Sequence, residues 1–146
     1  GRIFAIGGES AAGRALATVE RFDPEQGVWQ TLAPMPTARS SLAAASLGGR
    51  LYAIGGWNNG ALATVERFDP EQGVWQAVAP MPTARDGLTA VSLGGRLYAI
   101  GGTVGGLNNT VATVEIYDPE QDAWSAAAPM PTARCALGAA VLRIER

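Results

Sequence analysis

The sequence predicts an all-β chain made of three copies of one four-stranded antiparallel unit. Long stretches recur at a nearly fixed period: residues 46–56, Ser-Leu-Gly-Gly-Arg-Leu-Tyr-Ala-Ile-Gly-Gly, return unchanged at 92–102, and residues 17–30 return unchanged at 63–76. A diverged third copy of the latter stands at 112–125, and Gly1–Gly8 is an altered copy of the end of the former. Ala-Pro-Met-Pro-Thr-Ala-Arg occurs three times, ending at Arg39, Arg85 and Arg134. Trp29, Trp75 and Trp124 lie 46 and 49 residues apart, a spacing that points to propeller blades or a solenoid. Finally, 19 glycines and nine prolines punctuate short apolar runs while charged residues are only 16%, which excludes a disordered tail, a coiled coil and a long helix array.

Each unit reads as strands a, b, c and d. Strand a is small and apolar: Leu42–Leu47, Leu88–Leu93 and Leu137–Leu142. A Gly-Gly pair turns it into b, which is Leu51–Ile54, Leu97–Ile100 and, in the first copy, Ile3–Ile6. A second pair (Gly7-Gly8, Gly55-Gly56, Gly101-Gly102) ends b. Strand c is Ala-Thr-Val-Glu-Arg-Phe or its variant, closed by Asp-Pro-Glu-Gln, which is turn chemistry and makes Asp23 and Asp69 turn formers. Strand d begins at the Trp and stops at Pro-Met-Pro, because proline cannot extend a ladder. The Ala, Ser and Gly content of a suits strands crowding toward an axis.

Four apolar residues before Gly-Gly, as in Leu51-Tyr52-Ala53-Ile54-Gly55-Gly56, followed by an aromatic seven residues ahead of a Trp, resemble the kelch motif. The aromatic pairs are Phe22 with Trp29, Phe68 with Trp75, and Tyr117 with Trp124. The resemblance implies kelch-type β-propeller blades of four antiparallel strands, a innermost and d outermost, in rings that usually have six or seven blades. Three such units are counted here: b-c-d over 1–36, a second blade over 37–82, a third over 83–131, and a lone a strand in 132–146. By length alone, 146 residues would be one ordinary soluble domain. Three blades cannot close a ring, and an open arc would expose unpaired edges at Gly1 and Leu142. The expectation is therefore a homodimer of six blades, each C-terminal a strand pairing with the partner's b strand by strand exchange, a velcro-like closure with C2 symmetry.

Length variation between the copies is confined to the b–c connections: Glu9–Leu16, Trp57–Leu62 and Thr103–Val111. The residues opening strand a also differ: Ser40-Ser41, Asp86-Gly87 and Cys135-Ala136. In an antiparallel meander the b–c and d–a connections share one face, so that face is individual and the other generic, and binding is expected where loops vary freely. The candidates are Trp57, Asn58, Asn59, Asn108, Asn109, Arg14 and Asp86, with Trp57 the sharpest because it is the one Trp outside the blade register. Asn59-Gly60 also reads as a tight-turn pair, and Asn108-Asn109 similarly. Arg39, Arg85 and Arg134, once per blade before strand a, offer either an anion site at the channel mouth or ion pairs with Glu20, Glu66 and Glu115 that hold neighbouring sheets together. Cys135 reads as a small apolar filler, with a thiol beside Arg134 as the minor reading.

Histidine and lysine are absent, all eleven basic residues being arginine, which removes the commonest general base, the usual metal ligand and Schiff-base chemistry. No metal or other cofactor is expected, and no enzyme activity. A formal charge of −2 argues against nucleic acid, and no apolar run approaches the ~18 residues of a membrane span. Gly1 opens directly on a predicted strand, with neither initiator Met nor signal peptide visible. The predicted function is a self-assembling, non-enzymatic scaffold or protein-interaction module using the d–a/b–c loop face for a protein or peptide. Two alternatives stand beside it: an engineered or recently duplicated fragment with no ligand, and a piece of a sugar-active enzyme of mutarotase or sialidase type.

Overall fold

A computed structural model describes residues 1–106, 108–142 and 144. The predicted loop 103–111 and C-terminal segment 132–146 therefore include positions (107, 143, 145 and 146) outside the described residues. Eleven strands form three antiparallel meanders. The first sheet has three strands: β1 (Ile3–Ile6), β2 (Val19–Asp23) and β3 (Val28–Thr31), in that order. The second has four, β4 (Ala43–Leu47), β5 (Arg50–Ile54), β6 (Val65–Asp69) and β7 (Val74–Val78). So has the third, with β8 (Thr89–Leu93), β9 (Arg96–Ile100), β10 (Val114–Asp118) and β11 (Ala123–Ala126). These are the predicted a, b, c and d strands, and β4 and β8 pack side by side as neighbouring innermost strands.

Turn chemistry fixes the register. Gly48 and Gly49 both take positive φ (58° and 74°), so Leu47 pairs directly with Arg50 across a two-residue hairpin. After strand c, Asp69 Oδ1 accepts from the backbone N–H of Glu71 and Gln72, and Asp23 and Asp118 repeat the arrangement. The third copy replaces the usual Phe and Gly by Tyr117 and Asp122. Asp122 then sits at φ 48°, and its Oδ1 accepts both the Tyr117 hydroxyl at 2.7 Å and the Ala79 N–H at 2.8 Å. Two changes that look independent in sequence are one hydrogen-bonded unit.

Packing between sheets builds the core. Tyr52, Ile54, Val65, Leu88, Leu97, Ala99 and Tyr117 form one buried cluster shared by the second and third sheets, with the Tyr52 and Tyr117 rings 5.9 Å apart. The glycine closing strand b marks the closest approach. At Gly55 (φ 60°) a Cβ would stand 2.6 Å from the Arg85 carbonyl oxygen and 2.9 Å from the Met81 methyl. Met35, Met81 and Met130 each tuck against one such glycine, so Pro-Met-Pro is a packing element as well as the expected strand stop.

The motif tryptophans stand outside the core: Trp75 and Trp124 are half-buried and Trp29 is 53% exposed. They lie on the outermost strand, each ring stacked on its aromatic partner at 5.1–5.2 Å. Trp75 and Trp124 also donate Nε1–H to Ala33 O and Ala79 O of the preceding blade, at 3.0 and 2.8 Å. The predicted strand Leu137–Leu142 enters no ladder among the described residues, and β1 is the open edge of the three-stranded first sheet. Along that edge runs a groove of about 660 Å³ lined by Phe4, Ile6, Ala44, Ala45 and Leu51.

Two outcomes follow for stability. Gly94 has φ 59° with open space around its Cβ direction, so Gly94→Ala is expected to cost about 1–2 kcal/mol for the left-handed backbone alone. Gly55→Ala adds a collision with backbone and costs clearly more; urea denaturation compares the two. Backbone N–H groups, Gln72 first for Asp69 and Glu120 first for Asp118, hold these carboxyls below the ordinary range, aided by Arg50 and Arg96. Their folded-state values lie below the unfolded ones, so their contribution is complete at neutral pH. It is lost as pH falls from about 4 through the depressed values. Urea midpoints should fall over that acid window and stay flat from pH 6 to 8.

Candidate functional site

The loop face brings four of the sequence candidates together. Arg14, from the b–c loop of the first blade, lines a cleft of about 370 Å³ with Trp57, Asn58 and Asn59 from that of the second. Glu9 and the d–a residue Ser40 complete it. Ser40 and Trp57 extend the β4–β5 ladder by one bridge, exchanging both backbone hydrogen bonds at 3.0 and 2.7 Å. That bridge holds the Trp57 ring at the rim, 38% exposed. Asn59 takes the left-handed conformation (φ 57°) and donates Nδ2–H to Asn58 Oδ1, while Asn58 N donates to Gly60 O. The turn reading and the cleft position therefore coexist in the same residues.

Other candidates fall outside this cleft. Asp86 Oδ1 accepts the Thr103 hydroxyl at 2.7 Å, and the two residues exchange backbone bonds in the bridge that extends β8–β9. Asn109 N–H donates to Gly106 O and its carbonyl accepts from Val104, closing a turn in the loop that also carries Asn108. Cys135 is half-buried near Gly87.

The periodic arginines are a correction to the channel-mouth anion site. Arg39 and Arg85 are fully buried and sit between blades. Arg39 Nη1 donates to Gly55 O and Thr64 O, both at 2.9 Å, and its Nη2 stands 2.9 Å from Glu66 Oε2, a charge contact without hydrogen-bond alignment. Arg85 repeats the carbonyl contacts with Gly101 O and Thr113 O, and its Nη2 donates a hydrogen bond to Glu115 Oε2 at 2.8 Å. Burial lowers both guanidinium pKa values, and the facing glutamate opposes it. Thr37 and Thr83 hydroxyls donate to the same carboxylates at 2.6 and 2.8 Å. Sequence reading proposed the Arg–Glu pairs but missed the threonines, although Thr-Ala-Arg recurs in every copy. Arg134, the third of the set, is exposed.

The kelch motif is matched over residues 1–36, 38–82 and 84–131. The chain belongs to the kelch-repeat family. It is similar to mouse Kelch-like protein 35, 48% identical over 56 residues, which covers 38% of this chain and 10% of that protein. Zebrafish Kelch-like ECH-associated protein 1B is 43% identical over 58 residues, covering 40% and 10%. These matches thus span about a tenth of each relative's length. The solved structure of YjhT superposes with a TM-score of 0.76 at 18% identity, over 89% of this chain and 49% of that one. The kelch chain therefore carries propeller blades amounting to about half of that structure.

Glu115→Gln leaves Arg85 buried without a countercharge and is expected to cost roughly 3–5 kcal/mol. Arg96→Gln touches an exposed pair with Asp118 at 3.2 Å and should leave the denaturation midpoint nearly unchanged.

Proposed function

We propose that this kelch chain is a non-enzymatic half-propeller that closes with a second copy into six blades, the ring serving as a scaffold whose loop face binds a protein or peptide. One observation carries the reading: among the described residues the first sheet has three strands and no innermost one, while Leu137–Leu142 has the sequence of one and enters no ladder there. The 49% coverage of YjhT supports the same count of blades. The non-enzymatic reading is supported by a sequence without histidine or lysine and by a cleft whose polar side chains are those of Glu9, Arg14, Ser40, Asn58 and Asn59.

Binding is assigned to the Arg14–Trp57–Asn58–Asn59 cleft. Trp57 supplies a large, rigid contact surface, of the kind that dominates interface energetics, and the polar groups around it suit a peptide backbone. The name of the zebrafish relative records association with another protein, which favours a protein ligand over a small metabolite.

Native mass spectrometry should give a species of twice the 15.1 kDa chain; a monomer at every concentration overturns the half-ring. Trp57→Ala should abolish capture of a partner protein from host extract while leaving native mass and unfolding midpoint unchanged. Retained capture would move the binding site elsewhere.

A further inference from the structure

Both seams between blades inside the chain are built from the same parts, and the two halves of a third seam stand open at opposite ends of the fold. One side of a seam supplies Ala33, Thr37 and Arg39, or Ala79, Thr83 and Arg85. The other supplies Glu66 and Trp75, or Glu115 and Trp124, which receive them. The third donor set is Ala128, Thr132 and Arg134, all in the same Ala-Pro-Met-Pro-Thr-Ala-Arg heptad, with Thr132 and Arg134 exposed. The third acceptor set is Glu20 and Trp29, also exposed.

The innermost layer is unfinished in the same way. Gly87 N–H donates to Ser41 O at 2.9 Å and Ala136 N–H to Gly87 O at 2.7 Å, a row running from blade to blade. Ser41, Gly87 and Ala136 share one left-handed conformation, φ 49°, 61° and 49°. Ala136 already holds the blade geometry before any strand pairs with the residues after it.

We infer that a second copy closes each open end with a seam that repeats the internal ones residue by residue. Glu20 of one copy receives Arg134 and Thr132 of the other, and the Trp29 indole donates to the other copy's Ala128 carbonyl. Residues 138–142 run antiparallel to β1 in the register of β4 on β5, which sets Gly138 opposite Ile6 and Val141 opposite Ile3. The strand occupies the groove along Phe4, Ile6, Ala44 and Ala45. This assignment rests on the half-ring reading and names its surface. The occupant is a second copy because each open half is the complement of the other half on the same chain, in charge, in hydrogen bonding and in strand polarity. Two such seams close a C2 ring.

Charge exchange on the full chain tests it. Native mass spectrometry over a concentration series compares wild type, Arg134→Glu, Glu20→Arg and their equimolar mixture. Each variant alone opposes like charges at both seams, and its dissociation constant should rise by roughly a hundredfold or more, as expected when a buried pair is broken. In the mixed dimer one seam carries the exchanged pair and the other the native pair, so the mixture should dimerise selectively as a heterodimer. If wild type is a dimer but both variants dimerise as tightly and mix at random, the seam is wrong and the half-ring survives. A wild-type monomer overturns both.

A second probe does not depend on the ion pair. Ser40 and Trp57 face each other across the β4–β5 extension, and their counterparts at the open seam are Cys135 and Glu9. Oxidised Glu9→Cys should run as a covalent dimer on a non-reducing gel, and Cys135→Ser in that background should abolish the band. A monomer band overturns the register, and a ladder of larger species overturns C2 closure.

Discussion

Arginine buried between two sheets is the constraint on which the other features depend. Arg39 and Arg85 are large, charged and fully enclosed. A buried guanidinium is tolerable only where its donors are met. Each therefore requires a carbonyl at the end of the neighbouring strand b, another at the start of strand c, and a glutamate one turn of the pleat further on. Those acceptors exist only when two blades stand at one fixed angle. The arginine thus sets blade-to-blade geometry, and its own backbone carbonyl fills the space that glycine leaves open in the blade behind.

The proposed function grows out of that division of labour. Seams and generic turns hold the blades, which frees the b–c loops to differ in length and content. The cleft over Ser40 lies between two such loops, and its floor is an extension of the β4–β5 ladder. A ladder-built floor beneath variable loop walls is an arrangement in which the loops can change without disturbing the blades.

Much of the architecture was legible in the residues because exact repetition exposes the blade unit, and because Gly-Gly, Asp-Pro and Pro-Met-Pro mark every boundary. The Trp57–Asn59 loop was legible as an exception to the repeat. Glu9 was harder to find: it lies in the same first-blade loop as Arg14, but it follows directly on Gly7-Gly8 and nothing in its local sequence singles it out. The environment of the tryptophans was hidden for a related reason. Periodicity shows that Trp75 packs on something, but only the sheet's layering shows that the outermost strand covers half the ring.

By itself the sequence determined the number of blades, the strand order, the turn types and the absence of residues for histidine- or lysine-based chemistry, all of which depend on neighbours close along the chain. Tertiary structure decided what each repeated polar residue is for. Arg39 and Arg134 stand in the same heptad, yet one is buried in an ion pair and the other is exposed. The difference is whether a neighbouring blade lies across the seam, a property of position among the blades that no local spacing encodes.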